Sequence, residues 1–157
     1  MPTRKGPHQG GARYGARTVR QHQEELRVAT NGRGLIDLTA EVRGVVRRSE
    51  ITTGLATVFC QHTSASLVIQ ENADPSASAD LLAWLARLAP DGDRRYTHTA
   101  EGPDDMPSHL RSAVTSTSET VPIADGDLAL GTWQGIFLLE HRDAAHARSL
   151  VVHVQGQ

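Results

Sequence analysis

The sequence predicts an α+β fold with a mostly antiparallel sheet and two main helices. Three observations carry that reading. Short β-rich segments are broken by turn residues, two segments open on Asp with a proline within two positions and continue at helical spacing, and strands and helices do not alternate regularly. The chain has 157 residues, enough to bury one core and short for two. No solenoid-length repeat is present.

Residues 1–20 are basic and glycine-rich without an apolar run, so they cannot bury enough surface to offset their ordering entropy. They are predicted to form a flexible basic arm ahead of a single domain over 21–157. Gln21 to Val28 reads as a first strand, Asn31-Gly32 as a turn, and Leu35 to Thr39 alternates. From Ala40 to Arg48 a helix is favoured over a continuing strand. Val42, Val45 and Val46 then share one face, while Glu41, Arg43, Arg47 and Arg48 fall mostly outward.

Gly54 to Cys60 reads as a buried strand, with Leu67-Val68-Ile69 as its hairpin partner across Thr63-Ser64-Ala65. Asp74-Pro75 supplies an N-cap and a proline at the first helical position. Leu81, Leu82, Trp84, Leu85 and Leu88 make an apolar stripe that Pro90 and Gly92 stop. Asp105-Met106-Pro107 opens a second helix to about Val114. Strands over Ser118 to Ile123, Leu128 to Gln134 and Ile136 to His141 follow, with Ala124-Asp125-Gly126 and Gly135 as turns, and Leu150 to Val154 closes the chain.

Composition narrows the chemistry. The net charge of -2 argues against general nucleic-acid binding. No signal-peptide core precedes the domain, and no apolar segment approaches the ~20 residues that span a bilayer, so a soluble, cytoplasmic protein without a membrane partner is expected. Cys60 is the single cysteine, which excludes an internal disulfide and any Cys-rich metal cluster. Of 16 basic residues only Lys5 is lysine, and it lies in the arm. Schiff-base chemistry and a Walker lysine drop out, and charge stabilisation in the domain falls to Arg, His, a metal or backbone amides.

Four of the eight histidines, His62, His98, His109 and His141, sit at predicted turns, strand ends or helix starts, where separate segments can converge. His98, the Asp104-Asp105 pair, His109 and Glu140-His141 could together supply the His and carboxylate ligands that a divalent ion takes. Near the start of a helix, His109 is favoured in the neutral form that a metal requires. Hydroxyls at Thr63, Ser64, Ser66 and Thr115 to Ser118, with Arg142, are groups that cradle phosphate when lysine is absent, although they are also ordinary turn residues. Trp133 and Gln134 could line a ring-binding floor, or Trp133 could be core. A Ser-His hydrolase using Ser64 or Ser66 is disfavoured, because no Gly-x-Ser-x-Gly elbow is present.

Four motifs then occur in a recognisable order: His62-Thr63-Ser64-Ala65-Ser66, Glu71-Asn72-Ala73-Asp74-Pro75, Asp104-Asp105-Met106-Pro107 with His109, and Leu128 through Trp133-Gln134-Gly135 to Glu140-His141-Arg142. Together they closely resemble the YjbQ family, over about Gln21 to Gly156. The resemblance implies a compact α+β protein that assembles as a homotrimer, with His-lined pockets holding a metal near subunit contacts. It also implies a secondary thiamine-phosphate synthase activity, coupling a hydroxymethylpyrimidine diphosphate to a thiazole phosphate. On that reading His62, Asp105, Glu140 and Arg142 are catalytic, Asn72, Trp133 and Gln134 bind substrate, and His98, His109 and His141 hold zinc or magnesium. Two other readings share these residues: a non-catalytic metal or small-ligand binding protein, and a metal-assisted hydrolase or lyase of a phosphorylated metabolite.

Overall fold

A computed structural model describes residues 18–157. The expected arm falls on residues 1–17, outside the described residues, except for its last three positions. Of these, Arg20 is the first residue of β1 (Arg20–Ala29), and its guanidinium donates to the Ser49 carbonyl at 3.1 Å. Next come β2 (Gly34–Asp37), α1 (Thr39–Ser49), β3 (Gly54–Cys60), β4 (Ala65–Glu71) and α2 (Pro75–Leu88). They are followed by α3 (Asp105–Ala113), β5 (Ser118–Ala124), β6 (Asp127–Leu128), β7 (Gln134–Glu140) and β8 (Ala147–Gly156). The strands form a five-stranded sheet, β1-β8-β3-β5-β6, and a three-stranded sheet, β2-β7-β4, with every pairing antiparallel. The α+β expectation holds, with three helices among the described residues rather than two main ones.

The core lies between the two sheets and α1. Val42, Val45 and Val46 cluster with Val58, Leu150 and Val152 of the larger sheet and with Leu67, Ile136 and Leu138 of the smaller one. Valine costs a helix a few tenths of a kcal/mol up to about 0.7 in propensity. Burying each valine side chain contributes about 1.5–3 kcal/mol, so packing decides in favour of helix.

Two expected hairpins do not form. β3 has β8 on one edge and β5 on the other, which leaves no edge for β4; β4 pairs with β7 in the second sheet instead. Residues 61–64 therefore carry the chain between sheets. Leu128 to Gln134 is likewise not a strand paired with its successor. β6 ends at Leu128 and pairs with β5 across Asp125-Gly126, whose φ values of 52° and 79° suit a tight type I′ hairpin. Gly135 lies inside β7 rather than at a turn. A Cβ there would come within 2.8 Å of the Phe137 ring, so packing explains the glycine.

The start of α2 is as expected, with the Asp74 side chain accepting from the Ser76 N–H at 2.8 Å and Pro75 opening the helix. Of its apolar stripe only Leu85 is buried, while Trp84 and Leu88 are 50% and 52% exposed. No helix among the described residues is long and apolar enough to cross a membrane.

Candidate metal centre

Asp105 and His109 lie one turn apart on α3, and residues four apart share a helix face. His98 arrives from the segment between α2 and α3. That segment is fastened by Asp91, whose carboxylate accepts from the buried Arg111 and from Arg33 at 2.9 Å each, and by the Gly92 N–H donating to the Pro103 carbonyl at 3.0 Å. One ligand atom from each of His98, Asp105 and His109 lies within 4.8 Å of the others.

Asp105 is only 1% exposed. Its Oδ1 accepts from Arg142 Nη1 at 2.7 Å and lies 3.5 Å from His109 Nε2. Its Oδ2 is 2.8 Å from His98 Nε2, yet no N–H is aligned on it, and this buried oxygen has no hydrogen-bond partner. A buried carboxylate oxygen left this way is costly unless a cation meets it. His109 supplies the complementary detail. Its Nδ1 is 2.9 Å from the Thr63 carbonyl, an acceptor only, so Nδ1 carries the proton and a neutral ring turns the Nε2 lone pair toward Asp105. Metal-ligating histidines are oriented in this way. Two imidazole nitrogens and one carboxylate oxygen are also the number and kind of donors that an open zinc site takes from protein, whereas magnesium prefers oxygen.

Arg142 supports this centre rather than facing a ligand. Nε donates to Asp104 at 3.0 Å, Nη1 to Asp105 at 2.7 Å and Nη2 to the Glu101 carbonyl at 2.9 Å, so every guanidinium nitrogen is engaged. Burial raises the Asp104 pKa, but the Asp143 N–H and Arg142 outweigh it and hold the carboxyl below its ordinary range.

The remaining expected site residues lie elsewhere. His141, expected as a metal ligand, lies outside the His98–Asp105–His109 set. It is 1% exposed, with Nε2 2.7 Å from Ser66 Oγ, which in turn accepts from Thr115 Oγ1 at 2.6 Å. Glu140, expected to act in catalysis, is fully buried and accepts from Arg148 at 2.6 and 2.7 Å, Thr30 at 2.8 Å and the Arg142 N–H at 3.0 Å. Burial pushes its pKa up, but these donors prevail and hold it below the usual carboxylate value. The His62 Nε2 accepts from the Ser149 N–H at 2.8 Å, which places the proton of the neutral ring on Nδ1. His62 shares a cavity with Thr63 and His109 but is not a member of the trio.

Asn72, Trp133 and Gln134 do gather: Asn72 donates to the Gln134 carbonyl at 3.3 Å, and Trp133 is 64% exposed. They do so at the far end of the smaller sheet. The register pairs Ala65 with Glu140 at one end and Glu71 with Gln134 at the other, about 20 Å along the strands. The trio lies at the Thr63–Ala65 end, where His109 meets the Thr63 carbonyl and Ser112 meets that of Ala65 at 3.1 Å.

Arg148 and Arg111 escaped the sequence reading. Arg148 had a signal, because it shares the inward face of β8 with Leu150, Val152 and Val154 and so needs a buried acid. Arg111 had none, since its partners Leu85, Ala89 and Asp91 belong to another segment.

This architecture is that of a known class of two-sheet α+β proteins. A YbjQ-like protein of unknown function from Sulfolobus solfataricus P2 superposes with a TM-score of 0.82 at 25% identity, covering 89% of this chain and 100% of the other. A protein of the yjbq/upf0047 family from Clostridium acetobutylicum gives 0.74 at 34% identity, covering 85% and 98%. The chain belongs to the YjbQ/UPF0047 family: the family model described as UPF0047 protein YjbQ-like matches residues 24–157. A UPF0047 protein of Synechocystis sp. is 55% identical over 142 residues, 90% of this chain and 97% of the relative. YjbQ of Escherichia coli O157:H7 is 37% identical over 137 residues, 87% and 99%.

Proposed function

We propose that the chain is a metal-dependent enzyme that binds a divalent ion, zinc before magnesium, through His98, Asp105 and His109, and acts on a small phosphorylated metabolite. The buried Asp105 carboxylate, with Oδ2 lacking a hydrogen bond beside His98 and Oδ1 beside a His109 ring oriented by the Thr63 carbonyl, carries this reading. A bound divalent ion would supply Lewis-acid stabilisation of a phosphoryl or leaving oxygen. The residues of the chain do the rest. Arg142 holds both Asp104 and Asp105 in place, and the Thr63 carbonyl keeps the His109 proton on Nδ1.

The finer reading, from family resemblance, is thiamine-phosphate synthesis from a hydroxymethylpyrimidine diphosphate and a thiazole phosphate. Trp133, Asn72 and Gln134 would meet a substrate at the trio only if a second copy brought them there, because about 20 Å of strand separates the two groups within one chain. A homotrimer joined head to tail supplies that arrangement, and the half-exposed Trp84 and Leu88 are apolar groups such an interface would cover.

Metal analysis of freshly purified protein, with the His109→Ala variant beside it, is the direct test. The parent should hold about one zinc per chain and the variant almost none, with the oligomer unchanged on a sizing column. Equal metal content would overturn the assignment. Rescue of a thiamine auxotroph by the parent but not by His109→Ala tests the synthase reading separately. A non-catalytic binding protein is the second reading. It is favoured by one observation: Glu140 and Arg142, expected to act in catalysis, are both engaged in internal pairs.

A further inference from the structure

Beside the metal centre lies a cavity of about 440 Å³, within the size range of small-molecule sites. Its lining includes Arg94, Tyr96, His98, Thr99, Pro103 and Met106, so His98 is common to the cavity and the metal trio, and Met106 follows Asp105 on α3.

The polar groups of this lining are not balanced. Its one acid, Asp93, is engaged by Arg95, which donates at 2.6 to 3.1 Å and holds the carboxyl down to about 2. The Arg94 guanidinium and the Tyr96 and Thr99 hydroxyls make no hydrogen bond or ion pair among the described residues. The lining therefore offers one guanidinium and two hydroxyls that no group among the described residues engages, its own acid is already paired, and Pro103, Met106 and the Tyr96 ring supply apolar surface.

From this imbalance we infer that the cavity binds a small anionic ligand with a compact apolar body. The anion is held by Arg94, Tyr96 and Thr99, and the body rests on Pro103 and Met106, so that the ligand reaches the His98 edge of the metal centre. The inference deepens the proposed metal-dependent reading and rests on it only for what happens at His98. Arg94 and Met106 become determinants of specificity: Arg94 for charge, Met106 for the apolar part.

The test is calorimetric titration of the full chain, zinc-loaded and chelator-stripped, with phenyl phosphate and with inorganic phosphate. Arg94→Ala should weaken both by about tenfold or more, as loss of a charge-assisted contact does. Met106→Ala should weaken phenyl phosphate alone, and neither variant should change zinc content or melting temperature. Binding of phenyl phosphate that both variants leave unchanged would overturn the inference, as would a parent protein that does not bind it at about 10 mM. If the parent retains no zinc yet the stripped protein shows the Arg94 and Met106 pattern, the cavity assignment stands while the metal reading fails.

Discussion

Burial, and then the nearby Arg111 guanidinium, hold His141 down to about 4, against an ordinary value of 6.5. Between those values the unfolded chain binds a proton that the folded chain does not, so stability falls as pH drops through this window. The loss is on the order of 3 kcal/mol from this one group. Glu140 acts in the same sense lower down: its folded pKa lies below 4.5, so its contribution is present above that value and is lost as pH falls through the folded one. Urea unfolding of His141→Gln should show a flatter pH dependence between 6.5 and about 4 than the parent, and an unchanged slope would refute the buried neutral imidazole. Arg142→Ala should release Asp104 and Asp105 and weaken zinc binding about 10–100-fold without removing a ligand, as loss of a supporting contact does; chelator competition would measure it. His98, Asp105 and His109 were visible as candidates because they are His and carboxylate donors at a turn or a helix start, where separate segments can converge. His141 falls outside that set: its neighbours Glu140 and Arg142 look polar, but it follows directly on β7, whose residues from Gly135 to Glu140 are all buried, and is itself buried against Ser66.

Local signals served best at the scale of the element. Asp74-Pro75 marked the start of α2, and Asp125-Gly126 marked the β5–β6 turn, because capping and positive φ depend on a few adjacent residues. Gly135 misled, since a glycine between two apolar runs reads as a turn while its reason lies in the Phe137 ring and Asn72 Cβ, 2.8 and 3.2 Å from where its own Cβ would be. Gly135→Ala should therefore destabilise the protein by about 1–3 kcal/mol, as overpacking does, which denaturant unfolding would detect. A loss below about 0.5 kcal/mol, the level of an ordinary surface change, would show that the ring yields freely.

Across the whole molecule, one core joins both sheets and α1, while the sequence motifs divide between its two ends. If copies assemble head to tail as proposed, the melting temperature should rise with protein concentration, and a midpoint constant over a hundredfold range would count against assembly. Most strand and helix types, the turn at Asp125-Gly126 and the absence of lysine from the domain were readable from residue order, because each depends on composition or on neighbours along the chain. Strand partners and the roles of Glu140, His141 and Arg142 were decided only on folding. A strand pairs with whatever edge remains free, and a buried charge is satisfied by groups remote in sequence: Arg142 by Asp104, 38 residues away, and Glu140 by Thr30, 110 residues away.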